Sequence, residues 1–263
     1  MSENNKNESK KNIWNNIKSK YILRQLLENI HYNKLLKLIK YNKSFQEKLD
    51  KDINTYKTYY NQIQIEVIPK PNSNVQFYGS NTFSFINIPN GKAKYFHIYF
   101  NDQNEEVHTT QFDNKVSKIL IKIDQEIKSL KGLFENCAYI EKIRILNFRR
   151  NDINDMSYMF SYCLSLKEII FNSLNTDNVI NMSTMFMNCS SLEEIDFKKF
   201  NTEKVINFSN MFMGCSSLKK LDISNFKFCK YSDKFCMFYG CPRKIKDEIK
   251  SQRHDIEDWA FTG

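Results

Sequence analysis

Residues 181–196 read NMSTMFMNCSSLEEID, and a close copy of this segment, NFSNMFMGCSSLKKLD, follows 26 residues later at 207–222. A Met-Phe pair recurs at the same interval, with Leu-Phe in the first copy, and a cysteine follows three residues after each phenylalanine. The recurring residues are Phe134, Phe160, Phe186, Phe212 and Phe238, with Cys137, Cys163, Cys189, Cys215 and Cys241. A fixed period of this length indicates stacked copies of one structural unit, none of which can bury its apolar face alone.

Each unit contains one predicted strand and one predicted turn. After the cysteine comes apolar-x-x-apolar-x-apolar, as in Leu192, Ile195 and Phe197, and the last two positions alternate as a strand requires. Asn181 and Asn207 precede the Met-Phe pair, where an Asx side chain can accept the amides that open a short helical turn. The turn is expected to close in a left-handed conformation, for which tyrosine is the least suited of the residues present. The closing residues are Asn136, Tyr162, Asn188, Gly214 and Gly240.

The repeated pattern Asn-x-Ser-x-Met-Phe-x-x-Cys-Ser-Ser-Leu-x-x-x-Asp resembles the BspA-type leucine-rich repeat over about residues 130–241. The resemblance implies an α+β fold in which each repeat of a right-handed solenoid contributes a short parallel strand and a short helical turn. It also implies a protein-binding role and no enzymatic activity. The expected organisation is a disordered tail at 1–10, a helical unit at 11–60, a β-rich cap at 61–128, about five repeats at 129–241 and a C-terminal cap helix at 242–263.

The segments before the repeats differ in character. Residues 10–55 contain no Gly or Pro and carry leucine and isoleucine stripes at helical spacing. A Leu-rich helix, a polar turn and a Leu-Leu pair there resemble an F-box, which implies docking to subunits of a cullin-type ubiquitin ligase through residues 11–60. Residues 61–128 alternate as strands do, and Asn90-Gly91 between apolar runs predicts a hairpin. This region is expected to continue the sheet of the repeats, with a separate ligand-binding β domain as the alternative.

The charge of the chain is concentrated at its start. The net charge is +9, and residues 1–60 carry 13 basic and 6 acidic side chains, so the remainder is nearly neutral. No basic stripe follows the repeats, which argues against nucleic acid as a partner. The polar N-terminus lacks the features of a signal peptide, and no apolar run approaches the roughly 18 residues of a membrane span. We therefore expect an intracellular, cytoplasmic protein.

Sequence motifs that carry chemistry are missing. There is no glycine-rich phosphate loop, no His-Glu-x-x-His and no Cys-x-x-Cys pair, and the four histidines are scattered. We predict no enzymatic activity, no cofactor, no catalytic residue and no metal site. The recurring cysteines are expected to be buried free thiols. Cys229 and Cys236 do not belong to the five recurring cysteines, and the sequence suggests no role for them.

The candidate binding residues are the exposed positions of the short strands, where variation alters recognition without disturbing the core. Their charges differ from repeat to repeat, which suits a protein surface better than a uniform polyanion. Arg144 and Ile170 depart most from the pattern and are the preferred determinants of specificity. The candidates are Glu141, Arg144, Lys167, Ile170, Glu193, Asp196, Lys219 and Asp222.

Overall fold

A computed structural model describes residues 61–70 and 83–262 of the 263-residue chain. The tail predicted at 1–10 and the helical unit predicted at 11–60, with its F-box-like pattern, lie outside the described residues. The strands that the structure describes are β1 (Ile63–Pro69), β2 (Phe83–Ser84), β3 (Phe96–Phe100), β4 (Gln111–Phe112), β5 (Ile119–Ile123), β6 (Ile140–Asn147), β7 (Glu168–Phe171), β8 (Glu194–Ile195) and β9 (Lys220–Leu221). They are followed by helix α1 (Arg243–Gln252) and a 3-10 turn at Asp258–Ala260, and another 3-10 turn, Ala93–Tyr95, precedes β3.

A five-stranded mixed sheet joins the β-rich segment to the first repeats, in the order β3-β5-β1-β6-β7. Strand β1 pairs antiparallel with β5 and with β6, whereas β6 pairs parallel with β7. Ile63, Ile65 and Val67 are buried at alternate positions of β1, because successive side chains of a strand point to opposite faces. The two remaining sheets, β2-β4 and β8-β9, have two strands each.

The Met-Phe segments of successive repeats stack through backbone hydrogen bonds. Alternate N–H groups donate to carbonyls 25 residues further along the chain, as Phe134 does to Met159 (2.9 Å) and Phe160 does to Met185 (2.9 Å). The intervening N–H groups donate three residues back, as Cys137 does to the Phe134 carbonyl (3.1 Å). Each segment therefore satisfies its backbone partly within itself and partly through the next repeat.

The helical turn predicted for each repeat is wrong. A second column of left-handed residues stands four positions before the closing residue, with φ between 50° and 63°. A right-handed helix requires φ near −63° at every position, so these segments form consecutive tight turns instead. The predicted Asx bonds are nevertheless present, since the Asn181 side chain accepts the Ser183 N–H at 3.0 Å. The second column consists of Gly132, Tyr158, Thr184, Asn210 and Cys236.

The left-handed closing residues are confirmed, with φ between 55° and 75°. Tyr162 is among them at 58°, in a conformation that costs most side chains roughly 1 to 2 kcal/mol. Gly214 has a further requirement, because a Cβ atom there would lie 2.0 Å from Oδ1 of Asn188. Close stacking of consecutive turns therefore explains the glycine at this position.

The predicted α+β class and right-handed leucine-rich-repeat solenoid are also wrong. Within the described residues, the repeat strands shorten from eight residues in β6 to two in β8 and β9. No ladder joins β7 to β8, so the repeat strands do not form one continuous parallel sheet. The first repeat strand pairs antiparallel with β1, and the later repeat strands are too short to form many ladder hydrogen bonds. The described fold is mainly β, with mixed sheets and one α-helix.

The core of the repeats is a column of phenylalanine rings. All five recurring rings are buried, and neighbours stack with centroids 5.4 to 5.8 Å apart. The prediction of buried free thiols is confirmed for the five recurring cysteines, which form the cysteine ladder. From Cys163 onward, each ladder thiol lies 3.0 to 3.1 Å from the carbonyl of a phenylalanine in the preceding repeat, as Cys189 does with Phe160. The sulfur therefore serves as a weak donor to a buried backbone acceptor.

Arginines cover the backbone at both ends of the stacked repeats. Arg150, 5% exposed, donates to the carbonyls of Asp124, Gln125 and Ile127 at 2.6 to 2.8 Å. At the other end Arg253 donates to the carbonyls of Ile223 and Phe226. One repeat earlier the Asn225 side chain makes the equivalent bonds to the carbonyls of Phe197 and Phe200. The segment after α1 thus replaces contacts that a further repeat would make.

Candidate functional site

A groove of about 540 Å³ opens on the strand face, across β7, β8 and β9. Buried Ile169, Phe171 and Ile195 are among its lining residues. The exposed and half-buried side chains along it form three rows, each with one residue from three consecutive repeats. The rows are Glu168, Glu194 and Lys220; Ile170, Asp196 and Asp222; and Asn172, Lys198 and Ser224.

The structure divides the eight predicted site residues into two groups. Ile170, Asp196 and Asp222 form the middle row of the groove. The other five lie outside its lining, and their charges are paired. Lys167 Nζ is 2.7 Å from Glu141 Oε1, Lys219 Nζ is 2.6 Å from Glu193 Oε2, and Arg144 pairs with Glu66 of β1.

The paired residues therefore have a structural role that the sequence did not reveal. Two ion pairs, Glu141–Lys167 and Glu193–Lys219, each join side chains 26 residues apart. A charge in one repeat is thus neutralised by the opposite charge in the next repeat. Arg144 was a preferred specificity determinant, yet it holds β6 to β1 through Glu66, which is 14% exposed. Of the two preferred residues, only Ile170 lies in the groove.

Sequence reasoning missed Lys199, whose ammonium group lies at the end of the edge strand β7. Lys199 Nζ donates to the carbonyls of Phe171 (2.6 Å) and Asn172 (2.7 Å), next to the gap between β7 and β8. Lys199 falls outside the i,i+2 alternation that runs from the predicted strands to Lys198 and Ser224, so no pattern in the sequence pointed to it.

Two Asx turns position the carboxylates of the middle row. Asp196 Oδ1 accepts the Lys198 N–H at 2.9 Å, and Asp222 Oδ1 accepts the Ser224 N–H at 2.9 Å. The hydrogen bonds from Ser224, together with the nearby ammonium groups of Lys198 and Lys220, lower the pKa of Asp222 below its usual value. Asp222 is therefore a carboxylate at neutral pH.

Charges in the groove differ from those around it in their lack of partners. Among the residues that the structure describes, no ion pair involves Glu194, Asp196, Lys198, Lys220 or Asp222. Glu168 pairs with Lys142 of β6, and Lys199 is occupied by two carbonyls. The groove thus presents three carboxylates and two ammonium groups without ion-pair partners in the described chain.

The ladder cysteines are unsuited to chemistry. Burial raises the pKa of Cys137 and of Cys241 to about 12, and raises that of the three thiols between them well above the usual value. Thiolates react whereas thiols do not, so these sulfurs are inert. Cys236 is buried and Cys229 is exposed. Hydrogen bonds, first from Ser232, lower the pKa of Cys229.

A histidine on β3 lies between two carboxylates, away from the groove. His97 Nε2 is 3.1 Å from Asp124 Oδ2, and Nδ1 is 3.1 Å from Glu106 Oε2. Burial opposes protonation, but the hydrogen bonds from the imidazolium to the two carboxylates outweigh it and raise the pKa of His97 above 6.5. The charged form therefore ties β3 to the segment around Glu106.

This arrangement predicts stability that falls as pH rises. Because the folded pKa of His97 exceeds the unfolded value, its contribution is complete below about pH 6.5 and is lost as pH rises through the folded pKa. Urea unfolding at about pH 5.5 and pH 8.5 is expected to show a larger fall in midpoint for the parent chain than for His97→Gln. His254→Gln, at an exposed histidine, is the control and should keep the parent's pH dependence. Equal pH dependence of His97→Gln and the parent would contradict the assignment.

Across residues 61–70 and 83–262, no group of three or more His, Cys, Asp or Glu side chains is placed to hold a metal ion. None of the helices described there has both the length and the apolar character needed to cross a membrane.

Comparison with known proteins corrects the resemblances inferred from the motifs. No curated protein and no solved structure matches the chain. The resemblance to the BspA-type leucine-rich repeat is wrong, because the described residues lack the helix-containing repeats and continuous sheet it implied and another family model matches them. The F-box resemblance likewise finds no match. What the chain is similar to, over residues 128–252, is the family described as Mycoplasma protein of unknown function, DUF285.

Proposed function

We propose that this chain is a non-enzymatic module that binds a protein partner through the groove across β7, β8 and β9. The observation that carries the proposal is the contrast in charge pairing. Strand-face charges outside the groove are neutralised across adjacent repeats, whereas Glu194, Asp196, Lys198, Lys220 and Asp222 have no ion-pair partner in the described chain. Unpaired charges of both signs on one face are typical of a surface that meets a complementary one.

Binding explains the lining better than catalysis does. The described residues that line the groove include no His or Cys. Asp196 and Asp222 each commit one oxygen to an Asx turn, which fixes a side chain in place rather than leaving it to move with a substrate. Half-buried Ile170 adds an apolar contact in the middle row. The free thiols of the described chain agree with an intracellular place of action.

The test is affinity capture with the full chain, comparing the parent with Ile170→Asp. The variant places a carboxylate on the groove at a half-buried strand position, and it should lose the proteins that the parent captures reproducibly. Ile206→Asp is the matched control, because Ile206 is also an isoleucine in the repeats but is 54% exposed and lies outside the groove. Circular dichroism and urea unfolding establish that both variants are folded.

Two results would contradict the proposal. One is capture that survives Ile170→Asp and is lost with Ile206→Asp, which would move the binding surface away from the groove. The other is a parent chain that captures no protein above the level of an immobilised unrelated protein. Retention by Ile206→Asp together with loss by folded Ile170→Asp assigns partner binding to the groove.

A further inference from the structure

The middle row of the groove has a geometry that defines the chemistry of its partner, an inference that rests on the proposed function. We propose that the groove binds an extended protein segment through an arginine side chain lying between Asp196 and Asp222. An apolar side chain of the same segment packs beside it on Ile170. The partner is thus a peptide with an apolar residue and an arginine on one face.

Asp196 and Asp222 are two like charges that directly follow the paired strands β8 and β9. Strands β8 and β9 pair parallel with Ile195 opposite Leu221, so Asp196 and Asp222 follow as neighbours in adjacent repeats. Paired strands lie about 4.8 Å apart, and like charges directly across a sheet are destabilising. By contrast, Glu141 with Lys167 and Glu193 with Lys219 are complementary neighbours in adjacent repeats. Lys198 and Lys220 attract the Asp222 carboxylate without forming an ion pair with it, so a guanidinium between the two aspartates would add the hydrogen bonds that these lysines do not make.

The second argument is that the chain leaves this cation to a partner. Lys198 and Lys220 line the same groove, yet neither lies within 4.0 Å of a carboxylate oxygen in the described chain. The Asx turns hold both carboxylates in place, so the acceptors are ordered before binding. A guanidinium presents five N–H donors in a planar fork, which can address two neighbouring carboxylates, whereas an ammonium is a point charge. The geometry therefore favours arginine over lysine.

The third argument fixes the order of the two partner side chains. Ile170 is the uncharged member of the row and lies opposite Arg144 in the β6–β7 register. Arg144 is already paired with Glu66, so this end of the middle row offers no free carboxylate to a cation. The apolar side chain therefore belongs over Ile170 and the arginine over the aspartates. Lys199 covers the last carbonyls beside β7, so side chains rather than strand addition carry recognition at that end.

The experiment uses the full chain and a synthetic peptide, acetyl-Gly-Leu-Ser-Arg-Ser-Gly-amide, which places leucine and arginine on one face of an extended strand. Its matched versions carry citrulline, lysine or glutamate in place of arginine. Affinities are measured by titration with NMR detection. The arginine peptide is expected to bind, and the citrulline peptide to bind at least about tenfold more weakly, since it keeps the shape but loses the charge-assisted hydrogen bonds.

The chain offers a closely matched set of variants. Asp196→Asn with Asp222→Asn removes both charges but keeps an oxygen that can accept the turn amide, as Asn181 and Asn207 do in this chain. This double variant should lose about tenfold in affinity for the arginine peptide. The control is Asp233→Asn, because Asp233 also accepts a turn amide, that of Phe235, but lies outside the groove. It should bind as the parent does.

Several outcomes would overturn the inference. They are equal binding of the arginine and citrulline peptides, tighter binding of the glutamate peptide, unchanged affinity of the folded double variant, or no binding at about 10 mM peptide, near the limit of a weak complex. Tighter binding of the lysine peptide would overturn the choice of arginine. If partner capture is still lost with Ile170→Asp while the arginine peptide fails to bind, the proposed function stands and only the arginine assignment falls.

Discussion

Phe186→Ala is expected to lower the free energy of unfolding by about 3 to 5 kcal/mol, the range for truncation of a fully buried aromatic side chain. Phe186 is fully buried and stacks on Phe160 (5.4 Å) and Phe212 (5.8 Å), with Phe197 edge-on at 6.0 Å. Removing the ring deletes contacts with three neighbours at once. Since the backbone of each repeat is bonded to the next, the stack cannot close the cavity by local movement.

Urea unfolding followed by circular dichroism measures this effect. Glu194→Ala is the control, because Glu194 is exposed in the following strand and truncation should change stability by no more than about 0.5 kcal/mol. Equal midpoints for the two variants would show that the phenylalanine column is not the core of the repeats.

Arg150→Ala is expected to lower the free energy of unfolding by about 2 to 4 kcal/mol, because it removes a buried guanidinium that donates to three backbone carbonyls. The guanidinium satisfies three carbonyls, those of Asp124, Gln125 and Ile127, and its Nε lies 2.5 Å from Asp152 Oδ1. The Ile127 carbonyl is a buried acceptor, whose loss of a donor costs about 1 to 3 kcal/mol, whereas the bonds to the Asp124 and Gln125 carbonyls are partly buried and contribute less.

The same carboxylate supplies the control for this variant. Lys128 Nζ also lies 2.5 Å from Asp152, but its side chain is 59% exposed. Because an exposed ion pair contributes about 1 kcal/mol or less, Lys128→Ala should be nearly neutral. The stabilities of the two variants are measured by thermal and urea unfolding. The comparison is between a buried and an exposed cation that both contact Asp152. Similar losses for both would contradict the role of Arg150 as a donor to the backbone.

The sequence predicted the buried residues of the repeats well because burial follows local period. The 26-residue spacing identifies the phenylalanine and cysteine columns without reference to any other part of the chain. The closing residues at Asn136 and Asn188 were predictable for a related reason, since residue type itself favours a left-handed turn there. The middle row of the groove followed from strand alternation.

The turns themselves were not predictable from residue type. Tyr158 and Thr184 take φ of 60° and 59°, although neither residue favours that conformation. The Thr184 N–H donates to the Ser209 carbonyl at 2.8 Å in the next repeat, so long-range stacking imposes the strain. The hairpin predicted at Asn90-Gly91 is wrong. Strand β2 pairs with β4 and β3 pairs with β5, so this turn connects two different sheets.

The repeat length, the side chains that fill the core and the positions that face outward could all be inferred from the order of apolar and polar residues along the chain. The pairing of the outward charges depends on the three-dimensional fold. Arg144 meets Glu66, 78 residues earlier, because β1 pairs with β6, and the register of β8 with β9 makes Asp196 and Asp222 neighbours. Contacts between distant residues depend on strand pairing and register, which local periodicity does not specify.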